Sequence, residues 1–146
     1  MGLTEDLGRG PVALDTAVFI YFIEESPTFL RVAESIFLAI DAGSLLAVTS
    51  TLTLLETLVV PIRAGSTRLA QRYETLLTQS RGLYLIDLDR PVLRRAAEVR
   101  ALEGLKIPDA LQVAAALETG CTAFVTNDRQ IPTIEDLRVL QLQDYL

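Results

Sequence analysis

The chain has 146 residues, 50% of them hydrophobic, which is length and apolar content for a single folded domain spanning 1–146. Its formal net charge is -6, from 19 acidic and 13 basic residues, and that balance speaks against a protein that coats nucleic acid with a basic surface. It contains no histidine, which excludes Ser-His-Asp and Cys-His triads, imidazole general bases and zinc sites that need imidazole.

Val12 to Asp15 (VALD) predicts a buried strand, followed by a helix from Thr16 to Glu24 with Phe19, Ile20 and Phe22 available for packing. Pro27 restarts a helix that runs to about Ala42 and stops at Gly43, with Leu30, Ala33, Ile36, Phe37 and Ile40 on one face. Leu45 to Val48 is the second strand, and Thr49, Ser50 and Thr51 are candidate caps for the helix carrying Glu56, which Pro61 should end or bend. A helix from Ser66 to Gln79 breaks at Gly82, and Leu83 to Ile86 is the third strand. Pro91 to about Leu102 and the alanine-rich Asp109 to Thr119 are further helices, the latter closed by Gly120. Thr122 to Val125 is the fourth strand, Asn127 to Gln130 a turn into a short helix, and Val139 to Leu142 an edge strand. No linker, repeat or low-complexity segment divides the chain. Strands alternating with helices predict an α/β fold with a central, mainly parallel sheet of four to five strands and helices on both faces.

The longest apolar run, Leu52 to Ile62, contains Glu56 and Pro61 and falls short of the roughly 20 residues that span a bilayer. Met1 to Gly10 carries Glu5, Asp6 and Arg9 and lacks the layout of a secretory signal, so the expected location is the cytoplasm, with no membrane contact. Cys121, the single cysteine, lies in the apolar CTAFV and reads as a buried, inert thiol. All basic residues except Lys106 are arginine, the side chain suited to bidentate phosphate and carboxylate contact.

Chemistry without histidine must use carboxylates, hydroxyls or a metal held by oxygen. Asp15 ends an apolar strand, where an ionised carboxylate has to be paired, hydrogen-bonded or metal-bound, although it also suits a helix cap. Glu56 lies in TLTLLETLVV; the alternative to an inward role is a solvent-facing stripe through Thr49, Thr53 and Glu56. Asp109 opens a helix after Pro108, where the macrodipole alone would favour it, and Asp128 in TNDRQ suits an ordinary turn. Acids at the carboxyl ends of parallel strands stand where such sheets bind ligands. If Asp15, Glu56, Asp109 and Asp128 converge, they repel one another unless cations intervene. Hard oxygen ligands without His or Cys select Mg²⁺, with Mn²⁺ as its substitute, and point to phosphodiester hydrolysis.

The segments LDTAVFIYFIE around Asp15, TSTLTLLETL around Glu56, KIPDALQVAAALETG around Asp109 and FVTNDRQI around Asp128 resemble the PIN-domain ribonuclease family. The likeness is specifically to the VapC-type toxins of bacterial toxin-antitoxin pairs, and it extends from Val12 to Ile131. It implies a PIN-like α/β/α sandwich, magnesium-dependent cleavage of RNA, and catalytic and metal-binding roles for Asp15, Glu56, Asp109 and Asp128. A supporting role for the Thr126 hydroxyl, a small antitoxin partner and a homodimer follow from the same resemblance. Two departures stand out: about ten residues precede the first strand, and no further acid follows Asp128 before Ile131. Arg100 and Arg129 are candidates for contact with RNA phosphate or with an antitoxin. The stretches Thr16 to Phe22 and Phe29 to Ile40 could accept an antitoxin helix. Rival readings are a PIN-fold RNA-processing or DNA-directed nuclease and a noncatalytic, receiver-like Mg²⁺-binding module, for which Asp87 is available but no suitably placed lysine.

Overall fold

The computed structural model describes residues 2–146. Five parallel strands form one sheet in the order β3-β2-β1-β4-β5: β1 (Val12–Leu14), β2 (Ala47–Ser50), β3 (Leu83–Ile86), β4 (Ala123–Thr126) and β5 (Arg138–Gln141). From the central β1 the chain steps outward through β2 and β3, then returns to lay β4 and β5 on the other side. The order therefore reverses between β1 and β4, and a crevice opens there at the carboxyl ends of the strands.

The period of two along β1 sends Val12 and Leu14 to one face and Ala13 to the other. The first face is covered by α1 (Leu3–Leu7), α2 (Thr16–Ile23), α3 (Leu30–Asp41) and Leu77 of α5 (Thr67–Gln79). On the second lie α6 (Arg90–Glu103) and α7 (Ile107–Glu118), whose Ala110, Ala114 and Ala116 allow close approach to Phe124. The α4 helix (Thr51–Arg63) packs against α2, α5 and α7, and a short 3₁₀ turn, Leu142–Tyr145, closes the chain. Cys121 is buried as expected, and burial raises its thiol pKa. No helix among the described residues is long and apolar enough to cross a membrane.

Several boundaries differ from the sequence reading. The third helix begins at Leu30 rather than Pro27, because Ser26 first makes a turn in which its hydroxyl and carbonyl accept from Phe29 N and Leu30 N. The second strand is Ala47–Ser50, not Leu45 to Val48. Leu46 is engaged by Arg9 and Val12 before the ladder to β3 begins, and Thr49 continues the strand because its hydroxyl donates to the Leu14 carbonyl at 2.8 Å. Pro61 does not end α4, which runs to Arg63 with the proline ring buried. No helix follows Asn127; the segment turns at Arg129 and Gln130 and reaches β5 through a bridge between Ile134 and Leu137. The five-residue α1 had no signal long enough to register as a helical period.

Candidate active site

Asp15 follows β1 and caps α2, as its place in the sequence allowed. Its backbone N–H donates to the Val125 carbonyl of β4 at 2.9 Å, which fixes it at the reversal of strand order. Its Oδ1 accepts from Thr16 N at 2.8 Å and its Oδ2 from the Thr126 hydroxyl at 2.7 Å. Thr126, fully buried at the end of β4, also accepts from Asp128 N at 3.1 Å, so one hydroxyl ties the first and last acids of the set together. Asp128 is half-buried; its Oδ1 accepts from Gln130 N at 2.9 Å, and its backbone carbonyl accepts from Gln141 Nε2 at 3.0 Å.

Glu56 arrives from α4. The Thr16 hydroxyl donates to its Oε1 at 2.6 Å. The solvent-facing stripe considered for Thr49, Thr53 and Glu56 is overturned, because Thr49 and Thr53 are 1% and 0% exposed and their hydroxyls meet at 2.6 Å. Asp109 lies in the first turn of α7, where the helix dipole also favours a negative charge.

The four acids act on one another. Burial raises the Asp15 pKa most; the Thr126 and Thr16 hydrogen bonds oppose it, and the charges of Glu56 and Asp128 raise it further. Asp109 is pushed up to about 6, first by burial, then by the charges of Asp128 and Asp15, with Lys106 opposing and Glu56 adding. The charges of Asp15, Glu56 and Asp128 therefore all reach Asp109, and the four acids stand just before α2, on α4, on α7 and just after β4.

Among the described residues, no three acidic or cysteine side chains are drawn close enough to make a ready-formed metal cage. The donor chemistry nevertheless suits a hard divalent cation that keeps part of its water shell, as Mg²⁺ does. Two amide oxygens beside Asp128, Asn127 Oδ1 and Gln141 Oε1, are buried without a hydrogen-bond partner, as befits a place that receives water or cations. The acids, their mutual repulsion and these orphan oxygens fit such an ion.

The arginines singled out from the sequence have partners of their own. Arg129 pairs with Asp144 at 2.7 Å, and Arg100 donates to the Leu105 carbonyl at 2.8 Å, closing the end of α6. Asp87 is exposed on the far side of the sheet, beyond β3. Sequence reasoning missed the buried polar layer behind the acids, formed by Thr16, Thr49, Ser50, Thr53 and Gln112. Its one visible signal was Gln112, a lone amide in an apolar helix, three residues after Asp109.

No curated protein sequence matches the chain. Its fold is similar to that of a toxin-antitoxin complex from Klebsiella pneumoniae, with 20% identity and a TM-score of 0.67 over 86% of this chain and 94% of that one. It is also similar to VapBC2 from Rickettsia felis bound to a DNA fragment from their promoter, with 20% identity and a TM-score of 0.67 over 89% and 97% of the two chains. A third similar structure is VapC20 from Mycobacterium tuberculosis, a sarcin-ricin loop cleaving toxin, with 16% identity and a TM-score of 0.63 over 77% and 86%. These likenesses speak for the fold. The family model of the PIN domain matches residues 12–137, which include all four acids and every strand but β5, and the chain belongs to the PIN-domain family.

Proposed function

We propose that the protein is a Mg²⁺-dependent endoribonuclease and the toxin of a toxin-antitoxin pair. The observation that carries this reading is the mutual repulsion of Asp15, Glu56, Asp109 and Asp128 at the reversal of strand order, in a PIN-family chain without histidine. Asp15, Asp109 and Asp128 would hold the ion, with Glu56 beside them. When bound, Mg²⁺ acidifies a water and offsets the charge that develops on the phosphate. Thr126 holds Asp15 through its hydroxyl, so that a metal-facing carboxylate does not have to be ordered at the moment of binding. Thr16 occupies Glu56 Oε1, leaving the other oxygen to orient the attacking water in line with the scissile P–O bond.

An antitoxin partner accords with the similar structures, several of which are toxin-antitoxin complexes. On this chain a groove lined by apolar side chains such as Phe22, Phe37 and Leu76 together with the charged Glu34, Asp41 and Arg81 would take an amphipathic antitoxin helix. A homodimer would use the apolar stripe Leu55, Val59 and Ile62, exposed at helical spacing along α4.

Cleavage of a pool of structured RNAs and of matched DNAs by the purified protein, in Mg²⁺, Mn²⁺ or EDTA, tests the reading. Cutting of RNA that EDTA stops, and that Asp15→Asn loses by at least about 100-fold while keeping the wild-type circular dichroism spectrum, is the expected result. Preferential cutting of DNA, or full activity in Asp15→Asn, would overturn it.

A further inference from the structure

Behind Glu56 lies a chain of hydrogen bonds whose direction is fixed by counting protons. Gln112, on α7 and 3% exposed, accepts from the Ser50 hydroxyl at 2.9 Å and donates through Nε2 to Thr53 Oγ1 at 2.8 Å and Thr16 Oγ1 at 3.3 Å. Each hydroxyl has one proton. Thr49 gives its proton to the Leu14 carbonyl, which can only accept, so Thr53 must be the donor in its 2.6 Å contact with Thr49. Thr53 has then no proton left and is filled by Gln112. Thr16, likewise supplied by Gln112, is left with its own proton and the Glu56 carboxylate at 2.6 Å, against a longer 3.4 Å approach to Thr53.

The opposite orientation of the Gln112 amide fails the same count. Its oxygen would then lie 2.8 Å from Thr53 Oγ1 and 3.3 Å from Thr16 Oγ1, whose protons are already given to Thr49 and Glu56, so neither contact would hold a proton. One amide on α7 thus supplies the Thr16 and Thr53 oxygens from behind and leaves the Thr16 proton committed to Glu56.

We infer that Gln112 is a positioning residue of the nuclease site: it commits the Thr16 hydroxyl to donate to Glu56 and so holds the Glu56 carboxylate in its working orientation for RNA cleavage. The assignment rests on the reading of Glu56 as part of that site. Gln112 touches neither substrate nor metal; its hydrogen-bonded link to the Glu56 carboxylate runs through Thr16, while its bonds to Ser50 and Thr53 anchor the start of the helix that carries Glu56. Such supporting groups typically alter activity by about 10- to 100-fold.

The test is a double-mutant cycle on RNA cleavage with Gln112→Met, Thr16→Val and the pair, together with the side-chain amide resonances of Gln112. Gln112→Met should lower kcat at least about 10-fold with little change in KM. The double variant should be no slower than Thr16→Val, and Thr16→Ser should restore part of what Thr16→Val loses. In the wild type both Gln112 amide protons should exchange slowly with solvent, and Thr16→Val should shift one of the two. Additive losses in kcat, or wild-type kcat in folded Gln112→Met, would overturn the positioning role. Resonances unmoved by Thr16→Val would overturn the hydrogen-bond chain itself, and this measurement stands even where Gln112→Met fails to fold. Amide resonances that behave as expected in a wild-type protein that cuts no RNA would instead sink the nuclease reading and the catalytic role built on it.

Discussion

The Thr126 hydroxyl does two things with one oxygen: it donates to Asp15 Oδ2 and accepts from Asp128 N. Replacing it with the isosteric valine leaves one oxygen of a half-buried carboxylate without its donor and a backbone N–H without its acceptor. Thr126→Val should cost about 2 kcal/mol in urea unfolding at pH 8, since hydrogen bonds to charged groups lie in that range. The loss should shrink towards pH 4, where the Asp15 carboxyl takes up a proton and no longer needs a donor for its charge. The four acids were legible from the sequence because each is a charge in an apolar run. Gln112, Thr16 and Thr53 were not legible as a unit. Gln112 meets Ser50 and Thr16 across 62 and 96 residues of chain, and no local period records such a meeting.

Among the elements, the entrance to β1 depends on a residue without a side chain. Gly10 has φ +85°, and a Cβ there would lie 2.3 Å from the Leu46 carbonyl oxygen, the atom that accepts from Val12 N. Gly10→Ala should therefore destabilise the fold by more than about 2 kcal/mol in chemical denaturation, combining strain at positive φ with displacement of β2 from β1. Gly82, at φ +82° before β3, would bring its Cβ no nearer than 3.2 Å to a neighbour, the Ile40 Cγ2, so Gly82→Ala should cost less than Gly10→Ala. Elements with a clear apolar period were legible almost to the residue: β3 falls where LYLI predicts it, and α5 begins one residue after the expected Ser66, which is its N-cap. Boundaries went astray where polar groups found distant partners. Thr49 and Ser50 look like caps in sequence, and Ser50 is one, yet both belong to β2 because Leu14 and Gln112 accept their protons.

At the scale of the whole molecule, gathering four acids has a thermodynamic cost that pH can read out. The folded chain holds protons on Asp15 and Asp109 more tightly than an unfolded chain, whose aspartates titrate near 3.8; for Asp109 the folded value is about 6. Between these values the native state carries more protons than the unfolded one, so stability should rise as the pH falls from about 6 towards about 4. Thermal unfolding in EDTA at pH 7.5 and pH 5 should show the higher Tm at pH 5, and excess Mn²⁺ should raise the pH 7.5 value more than the pH 5 value. An equal Tm at both pH values in EDTA would contradict the crowding of the acids. The two ends of the chain are linked as well. Asp6 of α1 receives the Arg138 guanidinium on its carbonyl at 2.8 Å and the Tyr145 hydroxyl on its carboxylate at 2.6 Å, one contact at each end of the edge strand and its closing turn. An outermost strand is ordinarily the first to fray, but a single aspartate here brackets it from both sides. Peeling β5 from the sheet thus requires α1 to let go first, and the stretch before β1 serves as a clasp that sets how readily the molecule unzips from its final strand.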